Sequence, residues 1–191
     1  MFAGHFGLAA AVKGREPRVP LWALLLSTQL LDVVFVVLVI AGVESIAGRG
    51  YGKAVIHAEY THSLVGALVI ALVAGLLAGR AWGRRAAVVI GAVVFSHWVL
   101  DLIVHHPDLP ILPGNLGGLP LLGFGLWSYP AVSITLEALI ISIGAVLYAR
   151  SALVDPGHAD ARHERTTRAV IAAAIMAVFL VATLVTDVVG I

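Results

Sequence analysis

The chain has 191 residues, 60% of them hydrophobic and only 12% charged, with a net charge of +1 and no cysteine. A soluble domain is about a quarter charged, so this composition, with its mean hydropathy of +1.01, places the chain in a membrane. The near-neutral charge provides no basic face for nucleic acid, and without thiolates any metal must be held by His, Asp, Glu or water.

The first element is an apolar stretch, Met1 to Val12, containing Gly4-His5-Phe6-Gly7. As a helix it reaches about 18 Å, too short to cross. It fits either a half-helix entering from the cytoplasm, with its backbone buried in protein, or an interfacial anchor. Five stretches then approach the roughly 20 apolar residues that a span needs: Leu21 to Val43, Thr61 to Ala78, Ala86 to Val104, Tyr129 to Ala149 and Ala169 to Val189. The first is too long for the 7 to 15-residue core of a cleaved signal and carries Gln29 and Asp32. The expected fold is an all-α polytopic membrane bundle of about five transmembrane helices plus a short N-terminal half-helix, one domain over 1–191. Within it, 1–150 form the core, 151–168 a cytoplasmic loop, and 169–191 an additional C-terminal helix.

Lys13, Arg15, Arg18, Arg80, Arg84, Arg85, Arg150, Arg162, Arg165 and Arg168 fall on one side of these spans, and only Arg49 and Lys53 on the other. The positive-inside rule puts the N-terminus in the cytoplasm. Trp22 and Tyr148 mark the inner boundary, and Tyr51, Tyr60, Trp127 and Tyr129 the outer one. The outer loop from His105 to Ser128 is rich in Pro and Gly yet apolar, suited to covering a site or to a tight surface connection. His158 and His163, in a loop of mixed charge, read as solvated.

The remaining six histidines lie in or beside the spans, where ionisable groups are costly and point to function. In the third span His97, Asp101 and His105 recur at i, i+4 spacing on one helical face, and His106 follows. The second span opens with Thr61-His62-Ser63, preceded by His57 and Glu59. Thr61 or Ser63 could orient the His62 imidazole. At 1.5 Å per residue, His97, Asp101, Glu137 and Asp32 lie about 10, 5, 12 and 16 Å inside the outer ends of their helices. That is the outer half of a core about 30 Å thick. His5 on an upward half-helix reaches the same level. A shared depth with no polar series through the inner half suits a one-sided cavity, not a conduction path. With no internal repeat and an odd number of spans, an inverted-repeat transporter is also disfavoured.

Histidines and carboxylates without cysteine suit zinc or another divalent first-row metal, which would acidify water and polarise a phosphoryl or carbonyl oxygen. Glu59 is the candidate general base and His105 or His106 the candidate acid. The elements Gly4-His5-Phe6-Gly7, Gln29-Leu-Leu-Asp32, Thr61-His62-Ser63 and Ser96-His97-Trp98-Val-Leu-Asp101 resemble the bacterial membrane-bound metal-dependent hydrolases, distantly similar to the α-helical zinc phospholipase C group. The resemblance covers roughly residues 1 to 150. It implies His5, Asp32, His62, His97 and Asp101 as metal ligands; His57, Thr61, Ser63 and Glu137 are read from their own positions as the residues around them. The second acidic residue usual in that family's first span is absent, since Val33, Val34 and Phe35 follow Asp32, so one or two ions fit. The expected function is hydrolysis of a lipid or lipid-linked phosphoester on the outer side of a bacterial inner membrane. The alternative is a non-catalytic metal-binding or ion-translocating membrane protein.

Overall fold

The computed structural model describes residues 1–48, 50–153 and 162–189, with the side chains of 162–165 excepted. His158, and the side chain of His163, lie outside what is described. Among the described residues seven α-helices follow in order: α1 Phe2–Arg15, α2 Leu21–Thr28, α3 Leu30–Ile40, α4 Leu64–Trp82, α5 Arg84–Val104, α6 Pro130–Leu153 and α7 Arg162–Val189. Four stretches, Leu64–Trp82, Arg84–Val104, Pro130–Leu153 and Thr166–Val189, have mean hydropathies of 2.0 to 2.6 and the length to cross a bilayer. With α2 and α3 taken as one broken span, the count is five.

That first span corrects the expectation of one helix from Leu21 to Val43. It bends by 53° between α2 and α3 at Gln29, whose φ of −109° and ψ of 5° leave the helical range. The physical cause lies in α5: His97 Nδ1 donates to the Thr28 carbonyl at 2.6 Å. A backbone acceptor freed inside a membrane is thus satisfied by a neighbouring helix.

The expected half-helix is α1, and it runs three residues further than Val12. It packs against α6, α7, α2 and α5. Its approach to α6 depends on glycine: a Cβ on Gly7 would stand 2.8 Å from the Ile141 Cα, and one on Gly14 2.6 Å from the Leu147 carbonyl oxygen. Small residues allow such backbone contact between membrane helices. The cluster Ala3, Ala10, Ile141, Met176 and Leu180 closes α1 into α6 and α7. A second cluster, including Leu24, Leu31, Ala71, Ile90, Val94 and Trp98, joins α2 to α5.

Three boundaries differ from those read in the sequence. Thr61 to Ser63 precede α4, with Ser63 Oγ capping it by accepting from Gly66 N at 3.0 Å. The loop expected over 151–168 is shortened from both ends, since α6 reaches Leu153 and α7 starts at Arg162. Between α3 and α4 the all-α pattern is interrupted by an antiparallel hairpin, β1 Ser45–Ala47 paired with β2 Val55–His57. Its turn crosses toward the outer loop, where Leu109 pairs with Leu122 and Pro110 and Ile111 accept from the first amides of α4. Trp22 and Trp82 meet edge to face at 5.6 Å, at the ends of α2 and α4 opposite the hairpin.

Candidate metal centre

Six side chains from four segments converge. His97 and Asp101 stand one turn apart on α5 and His105 caps that helix; His5 comes from α1, Asp32 from the first turn of α3, and His62 from the segment before α4. Asp101 lies at the middle: Oδ1 is 3.1 Å from His5 Nε2. Its Oδ2 is 3.1 Å from His97 Nε2, 3.6 Å from His62 Nε2 and 3.8 Å from His105 Nε2. Asp32 Oδ1 is 3.4 Å from His62 Nε2 and 3.5 Å from His97 Nε2. The ligand atoms of His5, His97 and Asp101 lie within 4.8 Å of one another, as do those of Asp32, His62 and His97. Either group could hold a metal ion, and His97 is common to both.

The surrounding bonds fix which nitrogens carry hydrogen. Thr61 Oγ1 donates its single hydrogen to Glu44 Oε2 at 2.9 Å, so it accepts from His62 Nδ1–H, also at 2.9 Å. His97 Nδ1 is likewise the donor, because a carbonyl only accepts. When the rings are neutral, Nε2 of each carries the free lone pair, and these two atoms are 3.3 Å apart. Two lone pairs face each other beside two carboxylates, a donor set that fits a cation between them. Second partners on metal-binding imidazoles commonly set the tautomer in this way. Trp98 adds a backbone anchor, its Nε1 donating to the His62 carbonyl at 2.8 Å. His105 Nδ1 pairs with Asp108 Oδ1 at 2.9 Å, leaving its Nε2 toward the cluster.

His5 depends on how α1 ends. No side chain within α1 caps its N-terminus; two carboxylates from other helices do so. Asp187 accepts from Phe2 N at 3.2 Å and Glu137 from Gly4 N at 3.3 Å. Negative groups are favoured at a helix N-terminus. Glu137, fully buried, also accepts from the Tyr51 hydroxyl at 2.7 Å, and Tyr51 in turn accepts from Ser133 Oγ at 2.7 Å. His5 stacks on His97 with ring centroids 3.9 Å apart. Its Nδ1 is buried with no hydrogen-bond partner among the described residues.

The cluster forms the floor of a cavity of about 390 Å³, lined also by Phe2, Phe35, Tyr51, Trp127 and Asp187. Of the residues expected at the site, His5, Asp32, His62, Asp101 and His105 line this cavity, and His97 lies buried against them. Thr61 supports His62, Ser63 serves α4, and Glu137 supports α1. Glu59 and His57 are exposed and His106 reaches the Gly52 carbonyl at 3.4 Å; none of the three lines the cavity.

Glu44, Asp108 and Asp187 were assigned no role by sequence reasoning. Asp108 could have been found from its i, i+3 spacing to His105. Glu44 resembles an ordinary charge at the end of a span, and its partner Thr61 becomes visible only once the hairpin folds back.

No curated protein and no solved structure matches the chain. The model of the family described as YdjM inner membrane protein matches residues 2–189, α7 included. The chain therefore belongs to the YdjM inner membrane protein family, integral proteins of the bacterial inner membrane.

Proposed function

We propose that the protein is a metal-dependent hydrolase embedded in the membrane, acting on a lipid or lipid-linked phosphoester from the extracytoplasmic side, with its N-terminus inside. The observation that carries this reading is the opposed pair of Nε2 atoms on His62 and His97, set between Asp32 and Asp101 at the floor of a cavity. Nitrogen and oxygen donors without sulfur suit zinc, as one or two ions. Asp101 offers one oxygen toward His5 and the other toward His97 and His62, so it would help to hold the cation. When bound, the cation supplies Lewis-acid polarisation and an acidified water.

The chain's own residues supply the rest. Asp108 holds His105 with Nε2 toward the cavity. His105 is thus placed to hand a proton to the leaving alkoxide as the phosphorus–oxygen bond breaks. Trp127 packs on it with ring centroids 4.3 Å apart. Glu59, outside the cavity lining, takes no part in this scheme.

Metal analysis of purified wild type against a His62→Ala, His97→Ala double variant tests the centre. Wild type should retain zinc, manganese or iron and the variant only background. A panel of phospholipids and simple phosphoesters then tests hydrolysis, and absence of turnover with every metal would favour a binding protein.

A further inference from the structure

The cavity lies between α3, which contributes Asp32 and Phe35, and α7, which contributes Thr186 and Asp187. These helices belong to different groups: α3 packs on α2, α4, α5 and β1, whereas α7 packs on α1 and α6. The cavity therefore occupies the seam between two sub-bundles. Its exposure is uneven. The Asp32 side chain is 37% accessible, against 4% for Asp101, so the floor is reached from the α3 side.

Above the floor the route is covered. The hairpin turn carries Tyr51, bonded to Ser133 and Glu137. Gly52 lies so close to Trp127 that a Cβ there would stand 2.8 Å from the Trp127 Cβ. His106 Nε2 donates to the Gly52 carbonyl at 3.4 Å. Much of the remaining lining is hydrocarbon, Phe2, Phe35, Ile46 and Ile56, while Thr186 and Asp187 are the polar members on the α7 side, Asp187 being engaged by Phe2 N. Beyond it, the outward faces of α3 (Val36, Val37, Ile40) and α7 (Val181, Val185) are exposed aliphatic surface. In a bilayer such faces meet acyl chains.

We infer that the seam between α3 and α7 is a lateral portal holding the hydrocarbon tail of a bilayer-resident amphiphile while its ester head lies on the His/Asp cluster. Size agrees: about 390 Å³ is near the small end of the ~300–1,000 Å³ typical of ligand pockets, enough for a head group and not for a long chain. A tail must leave the cavity, and the apolar exit is the seam. Phe2 and Phe35 line the cavity next to that exit. The inference rests on the hydrolase reading for the nature of the head group only; the route itself is independent of turnover.

The test uses the full chain in phosphatidylcholine nanodiscs with a phosphatidic acid carrying a diazirine in its acyl chain, cross-links being mapped by mass spectrometry. The expected result is cross-linking at residues 33–37 and 181–186 at least about fivefold above that at the lipid-facing residues Leu72 on α4 and Val146 on α6. Excess unlabelled phosphatidic acid should abolish the difference and glycerol 3-phosphate should not. Uniform labelling of all lipid-facing helices overturns the portal. Competition by glycerol 3-phosphate equal to that by the lipid also overturns it, and assigns the site to a water-soluble ester. Metal content is measured on the same preparation. Focused cross-linking without bound metal would sink the hydrolase reading and leave the portal, and bound metal with uniform labelling would do the reverse.

Discussion

His62 and His97 point their Nε2 atoms at each other across 3.3 Å, each held there by a bond on the far side of its ring. For His62 that bond is to Thr61 Oγ1, whose own hydrogen goes to Glu44. Thr61→Val removes the acceptor while keeping the shape, so the imidazole loses its preferred tautomer and orientation. Zinc affinity should fall about 10 to 100-fold, the usual cost of losing such a partner, whereas Thr61→Ser should retain it. Competition with a calibrated chelator measures both. Equal affinities in wild type and Thr61→Val would remove the argument that the outer bond sets the ligand.

The approach of α1 to α6 leads to a second prediction. Gly7 touches the Ile141 backbone, and backbone cannot move aside as a side chain tip can. Gly7→Val should therefore push α1 away, carrying His5 from Asp101. Overpacking of this kind costs about 1–3 kcal/mol, so the melting temperature should drop. Metal stoichiometry should drop with it in the folded fraction. A variant as stable and as metal-loaded as wild type would show that α1 does not dock as described.

Much of this arrangement was legible in the sequence, for identifiable reasons. Helical spacing alone puts His97, Asp101 and His105 on one face, and the 1.5 Å rise places Asp32 at a compatible depth. The half-helix follows from an apolar run too short to cross. Other features depend on contacts between distant segments. The break at Gln29 has no proline or glycine to announce it, because its stabilising bond comes from His97, 69 residues away from Thr28. The hairpin over 45–57 is equally hidden, since its three-residue strands are too short to show alternation. Proximity to His62 in sequence points Glu59 and His57 toward the site. The turn into α4 carries them outward and brings Glu44 in.

Glu137 provides a contrast between two substitutions. It accepts from both Gly4 N and the Tyr51 hydroxyl. In Glu137→Gln the amide oxygen can still accept from Gly4 N, and Tyr51 can reverse its bonds, accepting from the amide while donating to Ser133. Glu137→Leu leaves both groups buried and unpaired, at about 1–3 kcal/mol each. Hydrogen exchange in the first turn of α1 should be near wild type for the first variant and strongly accelerated for the second. Matching exchange in the two would mean that the carboxylate does not hold α1.

Tyr51 connects the hairpin turn to the bundle, and its protonation gives the connection a pH limit. Burial, reinforced by the neighbouring Glu137 carboxylate, pushes its hydroxyl above the ordinary tyrosine value, although a bond from Ser133 opposes this. A group whose folded pKa is raised contributes stability that is fully present below the unfolded value, about 10 for tyrosine, and is lost as pH rises beyond it. The turn should thus stay fastened throughout the neutral range and loosen only in strong alkali. The chain has four tyrosines, so the tyrosinate absorbance of wild type and Tyr51→Phe can be compared directly. At about pH 11, one unit above the ordinary value, the two spectra should nearly coincide because Tyr51 is still neutral. A clear deficit in the variant at that pH would show that Tyr51 titrates normally and that the hydroxyl is not enclosed by Ser133 and Glu137.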